Sequence, residues 1–312
     1  MEVEFSAVIP VYNREITISR AIRSALDQSF PAKRIIVVDD GSTDGTSDCV
    51  RSFGHHVTYL RQENAGVSSA RNSGIATCKT EWIAFLDSDD YWRPDHLATL
   101  ARAIEATGGG AACYFSDAEL SGSSESPSWW TKVRFTLGHR YELCDDARAW
   151  GILRSGQPVL IPASAFRRSA LIDVGAFDVT MQTREDTLLI AKLSLNYSFC
   201  AVNGCEVVIT DDAAQRLTKQ FPRRHSEWCD ATIKMYLSLL NSETGLKPGE
   251  RQVLESRLFR ASLDCGRGHL EQWELFRTAI YLGRALSASP KYFFRWLGPK
   301  MRSKRTGLSG NR

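Results

Sequence analysis

A chain of 312 residues, 43% of them apolar, is large enough to bury a full core and fits one large α/β domain with an appendage, which excludes a wholly disordered protein. The formal net charge of +3 is mild, and its basic residues gather near the C-terminus without a recognised binding motif, which argues against nucleic acid as a partner. No apolar run approaches the roughly 18 to 20 residues of a membrane-spanning helix, and the eight cysteines form no C-x-x-C pair and follow no signal peptide, which predicts reduced thiols in a cytoplasmic protein.

The first predicted element is the apolar run Phe5 to Ile9, stopped by Pro10 and followed by a helix whose stripe is Ile18, Ala21, Ile22, Ala25 and Leu26. Ile35-Ile36-Val37-Val38 is a continuous apolar run, as in a strand covered on both faces, and Asp40-Gly41-Ser42-Thr43-Asp44-Gly45 closes it with a turn. Strand and helix patterns then alternate: Val57 to Leu60, a helix from about Gly66 to Ala76, Trp82 to Leu86, a helix after Pro94, and Ala111 to Phe115. The prediction is a doubly wound α/β fold with a parallel sheet.

From Glu119 to Arg140 the pattern dissolves into Ser, Gly and Pro around Trp129-Trp130, which predicts a long surface loop or flap. Order returns with a strand over Val159 to Phe166, a helix near Arg168 to Val174, a turn at Gly175-Ala176-Phe177-Asp178 and a helix holding Leu188, Leu189 and Leu193. Beyond Glu227 the chain reads as mainly helical. The expected division is a catalytic domain over residues 1–225, with a nucleotide-binding half to about 116 and an acceptor-binding half from about 117, and a helical C-terminal region with a basic tail over 226–312.

In an open parallel sheet, ligands bind beyond the carboxyl ends of the strands. Three such ends carry polar groups suited to a nucleoside diphosphate: Pro10-Val11-Tyr12-Asn13-Arg14, Asp39-Asp40-Gly41-Ser42 and Asp87-Ser88-Asp89-Asp90. Asp87 and Asp89 place two hard oxygen ligands close together, which suits Mn²⁺ or Mg²⁺ shared with a diphosphate. An isolated D-x-D is also an ordinary acidic turn, and D-G-S at Asp40 is ordinary turn chemistry. The joint occurrence of these motifs favours the ligand reading.

These stretches, with Asn64-Ala65-Gly66, Ala70-Arg71-Asn72 and Phe85-Leu86-Asp87-Ser88-Asp89-Asp90, resemble the inverting glycosyltransferases of family 2. The resemblance is dense to about residue 116 and looser to about 212. It implies the GT-A fold, a Rossmann-like, mostly parallel sheet flanked by helices, here with the helical C-terminal appendage. It also implies a nucleotide-sugar donor, with uridine or thymidine favoured by Tyr12 stacking on the base and Asp40 accepting a hydrogen bond from its imino group. Asp89 is then the direct metal ligand, Asp87 lies toward the ribose, and Pro10 and Ser88 belong to the nucleotide site with Arg14 and Arg71, whose guanidinium groups meet phosphate or base.

Glu185-Asp186 resembles the family's E-D pair, which makes Asp186 the base on the acceptor hydroxyl and Glu185 an acceptor-side contact. The same two acids also suit a helix N-terminus through its dipole. Some relatives add a late histidine to the metal or diphosphate, and His225 of Arg223-Arg224-His225 is the candidate, with a solvated charge cluster as the alternative. The implied acceptor is a glycan or a lipid-linked sugar, as in surface polysaccharide synthesis. Tyr292-Phe293-Phe294-Arg295-Trp296-Leu297, followed by Lys300, Arg302, Lys304 and Arg305, combines aromatic bulk with charge as in peripheral contact with the inner membrane face, while core packing and a solvated terminus are the alternatives. A nucleotidyltransferase is the competing enzyme class, but its glycine-rich signature loop is absent after the first strand. A binder that has lost catalysis is the other alternative, and the presence of both Asp89 and Asp186 argues against it.

Overall fold

The structure is a computed structural model that describes residues 2–123, 127–154, 156–210, 226–241, 245–271 and 275–288. The chain forms two compact units, Met1–Arg216 and Leu217–Arg312. The first is built on an eight-stranded sheet in the order β3-β2-β1-β4-β9-β6-β10-β8. Its strands are β1 (Phe5–Val11), β2 (Arg34–Asp39), β3 (Thr58–Arg61), β4 (Trp82–Phe85), β6 (Cys113–Phe115), β8 (Tyr141–Cys144), β9 (Ser164–Arg167) and β10 (Phe199–Val202). A three-stranded sheet joins β5 (Tyr91–Trp92), β11 (Val207–Ile209) and β7 (Glu119–Leu120).

The expected parallel sheet is present over β3, β2, β1 and β4, and β10 runs parallel to β6. Two strands run the other way: β9 lies antiparallel between β4 and β6, and β8 lies antiparallel at the edge against β10. The run Val159 to Phe166 begins as a short 3-10 turn over Ile161–Ala163, and the strand starts only at Ser164.

Strand alternation divides the core between the two faces of the sheet. Phe5, Ala7, Ile9 and Val11 of β1 pack on one side with Ile18, Ile22, Leu97 and Leu100, which come from α1 (Ile18–Leu26) and α4 (His96–Ala106). Val8 faces the other side with Ala70, Ile75, Leu171, Leu189 and Leu193, from α3 (Val67–Thr77), α6 (Arg168–Asp173) and α7 (Glu185–Asn196). A nine-residue helix such as α1 is marginal alone. Burying Ile18 and Ile22, at about 1.5–3 kcal/mol each, gives it a reason to form here.

The expected flap contains β7 and the short α5 (Trp129–Val133). Trp130 is buried there against Phe115 and Phe135, and the indole of Trp129 donates to the Gln157 carbonyl at 2.9 Å. Trp130 is core and Trp129 packs half-buried against it, because indoles carry more apolar area than a loop can leave in water.

The described C-terminal helices are α8 (Ser226–Asn241), α9 (Pro248–Glu271) and α10 (Leu275–Ala288), packed through Ile233, Leu258 and Tyr281. A disulfide joins Cys229 of α8 to Cys265 of α9, which corrects the reading of all eight cysteines as thiols, while Cys49, Cys78, Cys113, Cys144, Cys200 and Cys205 are free. Among the described residues no helix is long and apolar enough to cross a membrane. His225 with Arg223 and Arg224, and the aromatic and basic segment from Lys291 to Arg312, lie outside the described residues.

Candidate active site

The loops after β1 and β2 hold one another in place. Asn13, in the left-handed region at φ 51°, accepts from the Thr43 amide at 2.8 Å, and its own amide donates to the Ser42 hydroxyl at 3.0 Å. The Arg14 amide donates to Thr46 Oγ1 at 2.8 Å, and the Gly45 amide donates to the Glu15 carboxylate at 2.9 Å. Pro10 is buried within β1 and Tyr12 is 44% exposed. The Arg14 guanidinium donates to the Asn13 carbonyl at 3.1 Å.

The two aspartates at the end of β2 have separate surroundings. Asp39 is fully enclosed and accepts from the Ser42 amide, Ser47 and Tyr59. Burial opposes its charged form, but these hydrogen bonds outweigh it and leave its pKa below the usual carboxylate value. Asp40 accepts from Gln62 Nε2 at 2.7 Å and from the amides of Ala65 and Gly66 at 3.0 and 2.8 Å. Its carboxylate therefore fastens the chain entering α3. Gly41, which follows them, sits at φ +79°, and a Cβ there would lie 2.9 Å from the Asn64 amide nitrogen, so this turn needs glycine.

The acidic turn after β4 is fastened from behind. Thr210, just past β11, donates through its amide to Asp90 Oδ1 at 2.9 Å and through its hydroxyl to the Asp89 carbonyl at 2.7 Å. Arg20 of α1 donates to the same carbonyl at 2.6 Å while lying over the Tyr91 ring. Ser88 and Asp89 are both buried, and Asp87 remains a third exposed.

Arg71 of α3 brings the two halves of the unit together. Its guanidinium donates to Asp87 Oδ1 at 2.8 Å and to Glu185 Oε1, 114 residues further along the chain, at 3.0 Å. It lies over the Phe177 ring at 5.1 Å. The backbone of Phe177 is in turn gripped by Asn72, whose side chain accepts from its amide at 3.0 Å and donates to its carbonyl at 2.8 Å. Burial alone would lower the proton affinity of Arg71, but Asp87 and Glu185 outweigh it and the net shift is upward.

Arg184, at φ 68°, turns the chain into α7, so that Glu185 and Asp186 occupy its first turn. Burial raises the Glu185 pKa to about 7, with the Asp186 charge adding to the rise and Arg71 opposing it. Asp186 Oδ1 accepts from the amide and hydroxyl of Thr187 at 2.5 and 3.0 Å. Asp186 also contributes to the field at Arg71, which places it in the same electrostatic cluster as Asp87 and Glu185.

Asn72, Phe177, Arg20 and Thr210 are the supporting residues that sequence reasoning did not single out. Asn72 lies inside the Ala70-Arg71-Asn72 match, which was the one available signal. Thr210 and Arg20 carry none, because their contacts depend on how the small sheet docks.

The mostly parallel sheet flanked by helices is a GT-A fold. The model of the family described as Glycosyl transferase family 2 matches residues 6–175, more than half of the chain, and the chain belongs to this family. It is similar to the putative teichuronic acid biosynthesis glycosyltransferase TuaG of Bacillus subtilis (42% identity over 97 residues, 30% of this chain and 38% of TuaG). It is also similar to the glycosyltransferase GlyA of Streptococcus pneumoniae (36% over 104 residues, 32% of this chain and 15% of GlyA). The matched stretch is thus a minor part of either relative. The fold is shared with S. aureus TarS 1-349 solved with UDP-GlcNAc, at a TM-score of 0.71 and 20% identity over 93% of this chain and 83% of that one.

Proposed function

We propose that the chain moves a sugar, with inversion, from a UDP-sugar to a hydroxyl of a glycan or lipid-linked acceptor in surface polysaccharide synthesis. The observation that carries this is the Arg71 bridge, which ties Asp87 of the strand end to Glu185, the residue next to Asp186. Asp186 takes the proton of the acceptor hydroxyl as its oxygen bonds to the anomeric carbon, and the bond from that carbon to the UDP oxygen breaks on the opposite face. Glu185 faces the acceptor side. Pro10, Tyr12, Arg14, Asp40, Asp87 and Ser88 form the nucleotide site, with the Tyr12 ring available to a base and Asp40 fixed at the entry to α3. The uridine reading is supported by the UDP-GlcNAc complex of TarS, and the surface-polymer reading by the description of TuaG.

The donor set also fits a divalent cation that the substrate helps to hold. Among the described residues no three acidic, histidine or cysteine side chains converge as a complete cage, but Mg²⁺ and Mn²⁺ at such sites need only one or two carboxylates besides substrate phosphates. Asp89 and Asp87 are the residues that would hold it. When bound, it would neutralise charge on the departing β-phosphate. The working location is the cytoplasmic face of the membrane, with the C-terminal aromatic and basic segment in peripheral contact.

A thermal-shift screen of UDP-, dTDP- and GDP-sugars, each with and without Mn²⁺, tests this reading. A UDP-sugar with Mn²⁺ at a hundredfold excess over its Kd adds about 2.7 kcal/mol of stability, a rise of several degrees. Stabilisation by GDP-sugars alone, or by none, contradicts it.

A further inference from the structure

We propose that Arg71 is a positioning residue that ties the donor motif to the start of the helix bearing the base, so that donor binding at Asp87 orders Glu185 and Asp186. The inference rests on the proposed function and assigns Arg71 a role other than meeting phosphate or base itself.

Three observations carry it. Arg71 is only 5% exposed, and two of its terminal N–H groups already meet carboxylates, one from each half of the unit. Its plane rests on Phe177, whose backbone Asn72, the next residue of α3, holds at both its amide and its carbonyl. The guanidinium is thus seated by packing as well as by charge. Finally, the two arms of one guanidinium join Asp87 to Glu185, whose neighbour Asp186 shares the first turn of α7. Whatever Asp87 binds competes with one arm of a fork whose other arm holds Glu185.

The fork of an arginine fits two carboxylates at once, whereas a lysine is a point charge. Arg71→Lys therefore keeps the charge and loses the bridge. The donor probe is a UDP-sugar with Mn²⁺, and three readouts are taken on the full chain with Arg71→Lys and Arg71→Gln: donor affinity by calorimetry, kcat and KM, and amide hydrogen exchange over residues 185–189.

The expected result is that the donor slows exchange at the start of α7 in the wild type but not in the variants. Donor affinity stays within about threefold, and kcat falls about a hundredfold, the scale of a 1 Å misplacement of reacting groups. Should Arg71→Gln fail to fold because it leaves the largely buried Glu185 without its cation, Arg71→Lys carries the test. A variant that loses donor affinity tenfold or more with kcat unchanged makes Arg71 a donor ligand and overturns the proposal. So does donor-induced protection of α7 that persists in the variants, or that is absent in a wild type which binds the donor. Failure of the proposed function is distinct, since the wild type then binds no UDP-sugar at all.

Discussion

Glu185 has its pKa raised to about 7 against an ordinary value of 4.5, by burial first and by the neighbouring Asp186 second. Between those values the folded chain binds a proton that the unfolded chain does not, so the contribution to stability is complete below about 4.5 and is lost as pH rises through about 7. The melting temperature of Glu185→Gln relative to the wild type should therefore climb between pH 5 and pH 8, and a pH-independent difference would show that Glu185 does not titrate there. The acids of this cluster were legible in the sequence because each stands in a motif. Their bridging by Arg71 was not, since the carboxylate that a buried arginine meets 114 residues away is decided by how α3 and α7 pack.

At the scale of elements, α3 sets the geometry of the site by lying directly on β1. A Cβ at Gly74 would fall 2.3 Å from Val8 Cγ1, and Val8 is fully buried in a strand paired on both sides. Gly74→Ala should cost about 1–3 kcal/mol by overpacking, read as a lower denaturation midpoint. An unchanged midpoint would mean that α3 is free to lift. Asn72→Ala should likewise destabilise, by about 1–3 kcal/mol, because it leaves the buried Phe177 amide and carbonyl without a partner. The first four strands were legible because short, mostly apolar runs mark them. The reversed direction of β9 was not, since an apolar run has the same pattern in either direction. The surface loop read around Trp129-Trp130 holds the short β7 and α5 and buries Trp130, which the serine-rich composition of the window did not announce.

For the whole molecule, the family match falls within Met1–Arg216, while α8, α9 and α10 form a second unit with its own packing through Ile233, Leu258 and Tyr281. Helical periodicity beyond Glu227 announced that unit, but nothing in the spacing of the cysteines announced the Cys229–Cys265 disulfide. If the segment from Lys291 onward makes the proposed membrane contact, removing residues 291–312 should abolish salt-sensitive co-sedimentation with phosphatidylserine vesicles and leave UDP-sugar affinity intact. Each basic residue near such a surface contributes about 1 kcal/mol. Equal sedimentation of both forms would remove the tail from the account. The proposed transfer depends most on Asp186. The measurement is UDP release with acceptor present, compared between the wild type and Asp186→Asn, with donor affinity followed by calorimetry. Loss of at least about a hundredfold in turnover with donor affinity retained is the predicted result, and turnover equal to that of the wild type would contradict it.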